Sequence, residues 1–246
     1  MYIDRAAVKL EAKGLIRDSK PSMIAAAVIY TVLGAVIGFL SLRLTGVDSS
    51  VAEKMFEAAN AGNSEALANL ILKALPGKGE TLLDLLLQLA LAVVSVGFSL
   101  FVVNSVRRTG AVYGNLLDGF GMMPRVLFLI ILEYLFIALW SMLFVIPGIV
   151  AAYRYSLAVY IMLDHPELSA MDCIRESKRM TRGYKMQLFL LDLSFLLWWF
   201  LSALPVVGYA VQIFLTPYVE TARVLYYERI RSASGVDVPP YGFDAF

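Results

Sequence analysis

From Met23 to Leu42 the chain runs for 20 residues without a charged side chain. A helix rises about 1.5 Å per residue, so this run matches the roughly 30 Å hydrocarbon core of a bilayer. The pattern recurs. Leu82 to Val106 carries Asp84 and Gln88 only in its first turns, and Val126 to Ile146 is interrupted only by Glu133. Pro147-Gly148 separates it from Ile149 to Leu163, which contains Arg154. Leu188 to Leu204 and Val206 to Tyr226 form a last pair, parted at Pro205. Composition agrees: 59% of residues are hydrophobic and 17% charged, against about 25% charged in soluble domains. A lone cysteine, Cys173, excludes a disulfide scaffold. The expected fold class is all-α, a polytopic membrane helix bundle of six transmembrane helices.

Lys and Arg in short loops stay on the cytoplasmic side. Arg5, Lys9, Lys13, Arg17 and Lys20 precede the first span, and Arg107, Arg108 and Arg125 follow the second. Arg175, Lys178, Arg179, Arg182 and Lys185 separate the fourth and fifth, and Arg223, Arg229 and Arg231 close the sixth. The alternate turns "IPGI" and "LPVVG" carry no charge. This alternation predicts a plasma-membrane protein with both termini cytoplasmic.

Residues 1–22 read as a cytoplasmic amphipathic interfacial helix, with Ile3, Ala7, Leu10 and Gly14 on one face. Its mixed charge and length argue against a cleaved signal peptide; a frayed tail is the alternative. Residues 23–227 form the membrane domain, with an outer insert at 44–81, and residues 228–246 a cytoplasmic tail. Within the insert, Val51, Met55 and Ala59, then Leu67, Leu70, Ile71 and Ala74, predict two short amphipathic helices ended by Pro76-Gly77. The last four spans suggest a parallel internal repeat, since Glu133, Trp140 and Pro147 mirror Asp192, Trp198 and Pro205. Convergence of membrane hairpins on such features explains the likeness equally well.

Several segments match a known pattern: the turn at Pro147-Gly148, the helix Tyr153-Arg154-Tyr155-Ser156, and the loop Asp164 to Ala170. Ser177 to Lys185 and Pro217-Tyr218 to Tyr227 complete it. On these residues the chain resembles bacterial membrane proteins catalogued as domain of unknown function 975. The 44–81 segment is longer than that family's first outer loop, and Arg154 departs from its pattern. The resemblance implies a multi-spanning membrane protein and brings no reaction, ligand or catalytic residue. A remoter likeness to the membrane domain of glycerophosphodiester phosphodiesterases suggests a lipid setting.

Catalytic residues, metal ligands and cofactor motifs are not identified. His165 is the sole histidine and no zinc-ligand spacing occurs. Arg175 near Cys173 could lower the thiol pKa, but a lone thiol with no base beside it is read first as structural or incidental; Cys173 is expected to report the cytoplasmic side to thiol reagents. Glu133, Asp192, Glu220 and Arg223 fall at similar depth as candidates for an inward polar cavity. Arg223 is placed to meet Glu220 one turn away. Pro217 would leave the Ile213 carbonyl without its helical partner. Arg154, nearer the outer boundary, is a further candidate, expected to snorkel or to bond carbonyls near Pro147. For all five a structural role, hydrogen bonding between helices or reaching the interface, is the leading reading and ligand binding the alternative. Between Ser169, a helix cap, and Gly183, a helix stop, Arg175, Lys178, Arg179 and Arg182 form one stripe suited to anionic lipid headgroups. Ordinary positive-inside bias is the simpler account of that stripe. A net charge of +1 argues against nucleic acid as a partner. Membrane lipids, a membrane-protein partner or a second copy are the expected partners. The preferred role is non-enzymatic, organising or sensing the inner leaflet; a small transporter or lipid-translocating protein is the alternative.

Overall fold

The computed structural model describes residues 3–45, 49–61, 63–66, 69–70, 78–202 and 207–233. Among these, all regular structure is helical. The order is α1 (Arg5–Asp18), α2 (Met23–Thr45), α3 (Ser49–Asn60), α4 (Lys78–Arg107) and α5 (Asn115–Asp118), which continues as a 3₁₀ turn over Gly119–Met122. Then come α6 (Met123–Leu143), α7 (Val145–Tyr155), α8 (Ala158–Asp164) and α9 (Ala170–Met180). α10 (Lys185–Leu193), α11 (Leu196–Ser202) and α12 (Val207–Ala233) complete the chain.

Four stretches are long and apolar enough to cross a membrane: Met23–Ser41, Leu82–Arg107, Asn115–Leu143 and Val145–Asp164. α10 and α11, bent by 47°, make a fifth if taken as one span. α12 is helical through the expected sixth span, but Gln212, Glu220 and Arg223 lower its apolar character.

The chain divides into two compact units. In the unit Val32–Ala92, Gln88 donates to Ser41 Oγ at 3.2 Å, and Leu91 packs on Gly34. α3 supplies the first expected helix of the insert. Pro76-Gly77, and most of the second, lie outside the described residues.

The other unit, Met1–Thr31 with Val93–Phe246, holds the functional candidates. α6 and α7 form an antiparallel hairpin, α9 packs back on α8 and α6, and α1 packs on α12. The hairpin turn lies at Phe144, whose extended backbone (φ −160°, ψ 151°) separates the helices, and not at Pro147-Gly148. Pro147 instead occupies the first turn of α7, where an N–H has no helical acceptor to lose. Gly148 allows the close approach, since a Cβ there would overlap Ser141. Gly97 does the same between α4 and α5: its Cβ would overlap the Leu116 carbonyl oxygen.

α1 starts at Asp4, whose carboxylate accepts from the Ala6 amide at 2.9 Å. It buries Ile3, Val8 and Ala12, while Leu10 is 74% exposed and Ala7 also faces outward. The face read from sequence is therefore divided: Ile3 is buried and Gly14 partly buried, while Ala7 and Leu10 face outward. The helix's other contacts are polar and specific. The Ile3 amide donates to Gln187 Oε1 at 2.9 Å, and Arg229 pairs with Glu11 at 2.6 Å. Lys9 donates to the Ser194 carbonyl at 3.3 Å and lies 4.2 Å from the Phe195 ring centroid. A cation at the carboxyl end of α10 opposes the partial negative charge of that helix end. Burial, with help from Lys13 and Arg5, lowers the Lys9 pKa.

α7 and α8 are not one helix. The chain breaks at Ser156-Leu157, and Ser177 of α9 closes the gap: its hydroxyl donates to the Arg154 carbonyl at 2.9 Å and accepts from the Leu157 amide at 3.2 Å. At the carboxyl end, α12 passes through Pro217 without ending and continues to Ala233, beyond the boundary expected at residue 227.

Candidate functional site: a polar cavity between α7, α8, α10 and α12

A cavity of about 440 Å³ opens between these helices. Ile149, Ala152 and Leu188 make its apolar wall; Tyr153, Asp192 and Arg223 make its polar wall. Two of the candidate residues meet here. Arg223 of α12 grips Asp192 of α10 with two nitrogens, Nε to Oδ1 at 3.2 Å and Nη2 to Oδ2 at 2.9 Å. Tyr153 donates to Asp192 Oδ2 at 3.1 Å. The pair stays partly open, with the Arg223 side chain 42% and the Asp192 side chain 22% exposed.

Arg223 therefore pairs across helices and not with Glu220 one turn below. Glu220 turns the other way and accepts from Ser99 Oγ at 2.6 Å and from Tyr160 Oη at 2.9 Å. Tyr160 also lines the cavity, so Glu220 is joined to its wall through one hydroxyl. Two carboxylates and one guanidinium stand within this short network, an excess of one negative charge when both acids are ionised.

The other two candidates lie outside the cavity lining. Glu133 on α6 has Oε1 buried with no hydrogen-bond partner among the described residues. Arg154 places its guanidinium carbon 6.0 Å from the Trp140 ring centroid, and its Nε is buried without a hydrogen bond. Glu133 and Asp192, equivalent in the suggested repeat, thus have different surroundings. Pro205, its last element, lies outside the described residues.

Of the four basic residues, Arg175, Lys178 and Arg179 lie on α9 and Arg182 in the turn beyond its end, and they are not equivalent. Ser169 caps the helix by accepting from the Asp172 amide at 3.2 Å, and Gly183 takes the left-handed conformation (φ +89°) beyond its end. Arg175 pairs with Asp172 at 2.6 Å, and Arg179 with Glu176 at 2.5 Å. Lys178 and Arg182 are exposed and have no ion pair among the described residues. Cys173, on the opposite face, is fully buried, and burial pushes its thiol up to about 11. Arg175 does not activate it, and it cannot report sidedness to a thiol reagent.

A second polar cluster was read from the sequence only as loop charge. Asp164, 5% exposed, ends α8 and accepts from Arg107 Nη1 at 2.5 Å and Nη2 at 2.9 Å, from Tyr227 Oη at 2.6 Å and from Arg231 Nη1 at 2.8 Å. Glu228 accepts from Arg107 Nε at 2.7 Å. Two acids balance two bases, tying α4, α8 and α12 together. The one available signal was an acid directly after the apolar run Ile149 to Leu163. Among the described residues no three His, Cys, Asp or Glu side chains converge to hold a metal ion.

Neither a curated protein nor a solved structure is significantly similar to the chain. A family model described as "Protein of unknown function (DUF975)" matches residues 11–234. The helices of the cavity and the loop helix that braces them all fall within that match, and the chain belongs to this family.

Proposed function

We propose that the protein is a non-catalytic, six-span plasma-membrane protein, with both termini cytoplasmic, that contacts anionic lipids of the inner leaflet. The six spans count α10 with α11 as one and α12 as the last. The carrying observation is the α9 segment, which seals one face against the bundle and leaves Lys178 on the helix and Arg182 just past its end exposed without an ion pair among the described residues. Near an anionic surface each such charge contributes about 1 kcal/mol. Leu10, outward on α1, adds an apolar contact of the kind interfacial helices use.

Reversal of both charges (Lys178→Glu with Arg182→Glu) should lower association with anionic lipid in native mass spectrometry by more than tenfold. Arg175→Gln with Arg179→Gln should do less, because those cations are already paired. Unchanged lipid retention after the double reversal would refute the reading. Orientation is checked in a Cys173→Ala background. An impermeant thiol reagent applied outside should label Asn63→Cys and spare Ser232→Cys; the reverse pattern overturns the topology.

A second reading, a small transporter or lipid-translocating protein, is favoured by the cavity lying beside the α7–α8 break and the bend between α10 and α11. Liposome flux or scrambling that falls on Asp192→Asn would support it.

A further inference from the structure

The cavity has features that lipid contact at the protein's rim does not use. It holds a carboxylate and a guanidinium bound to each other yet both partly exposed. Its remaining walls divide into an apolar side and a hydroxyl-bearing side. Its volume lies within the usual range for small-molecule sites, about 300–1,000 Å³.

The charge pattern discriminates among occupants. A lone anion at Arg223 lies beside the Asp192 carboxylate that already shares that guanidinium. A lone cation at Asp192 lies beside the Arg223 guanidinium that already shares that carboxylate. Each single charge thus gains one opposite charge and meets one like charge next to it, which reduces its net attraction. A molecule with both charges replaces the internal pair by two external ones, so neither side chain loses a counter-charge. The apolar wall of Ile149, Ala152 and Leu188 adds a demand for hydrocarbon next to the charged part.

We infer that this cavity binds the zwitterionic headgroup of an aminophospholipid, its phosphate taken by Arg223 and its ammonium by Asp192. Arg223 offers the planar fork that phosphate recognition uses, and Tyr153, already directed at Asp192, holds the carboxylate in place when the guanidinium turns to the ligand. The apolar wall receives the first methylenes of the acyl chains. This inference rests on the lipid-contacting reading but assigns a different site and a different lipid class from the α9 surface.

The full chain in nanodiscs of equal phosphatidylethanolamine and phosphatidylglycerol provides the test, read by native mass spectrometry of retained lipid. The wild type should retain phosphatidylethanolamine preferentially. Asp192→Asn and Arg223→Gln should each lower that retention about tenfold or more, the loss expected for a hydrogen-bonded charged contact. The α9 reversal should leave it unchanged while losing the anionic lipid, so failure of one site is distinguishable from failure of the other. Soluble glycerophosphoethanolamine should displace the retained lipid, and inorganic phosphate should not. Equal retention of both lipids by the wild type, or equal displacement by inorganic phosphate, overturns the inference. Both readouts use the unmodified protein and stand even where a variant fails to fold.

Discussion

Asp164 gives the sharpest test of how the helices are held. Its carboxylate, 5% exposed, receives two guanidinium groups and the Tyr227 hydroxyl. Asp164→Asn keeps the volume but removes the charge, and it turns an amide N–H₂ toward donors that need an acceptor. Removing one member of a buried ion pair typically costs 3–5 kcal/mol. Glu228 still faces Arg107 at 2.5 Å and Arg231 at 4.0 Å, so the lower end applies, about 3 kcal/mol. Tyr227→Phe deletes only one donor to a charged acceptor, a loss of about 1.5–3 kcal/mol. Because both changes strike one contact, the double variant should lose less than the sum. Unfolding by sodium dodecyl sulfate in mixed micelles, followed by circular dichroism, measures all three. A change below about 1 kcal/mol for Asp164→Asn would refute the claim that this cluster ties α4, α8 and α12.

Cys173 should resist maleimide in the native protein and react once it unfolds. Its thiol, held at about 11 by burial against an ordinary 9.0, favours the protonated folded state. That contribution is complete below pH 9.0 and is lost as pH rises toward about 11, so unfolding midpoints should fall over that window and fall less in Cys173→Ala. Ser177→Ala should destabilise by about 1–3 kcal/mol in the same unfolding assay, since it strips the Leu157 amide of its buried acceptor. Gly97→Ala, which helix propensity alone would favour by about 1 kcal/mol, should instead destabilise by about 1–3 kcal/mol, because the new methyl meets backbone. A thermal-stability gain would refute the close α4–α5 approach.

Long apolar runs were legible because a helix able to cross a bilayer needs length and composition together, and the apolar stretches of α2, α4, α6 and α7–α8 follow from them. The Ser169 cap and the Gly183 stop of the loop helix were legible for a local reason, being set within a few residues. Partner choice was not. Arg223 has Glu220 three residues away but bonds Asp192, 31 residues distant, because helix packing decides which carboxylate it meets. Asp164 and Arg107, 57 residues apart, could be read only as loop charges until α4 and α8 were adjacent. The buried face of α1 escaped for a related reason: alanine and valine are small enough to pack against α12, leaving the larger leucine outside.

The splice at Ser156-Leu157 bears on the order in which the chain is made. The two groups that Ser177 joins precede it by 23 and 20 residues, so the ribosome delivers the broken span before the side chain that completes it. When residues 145–164 have just been synthesised, the Leu157 amide lacks its final acceptor. The α7–α8 junction therefore reaches its finished form only after α9 has been synthesised and folded back against it.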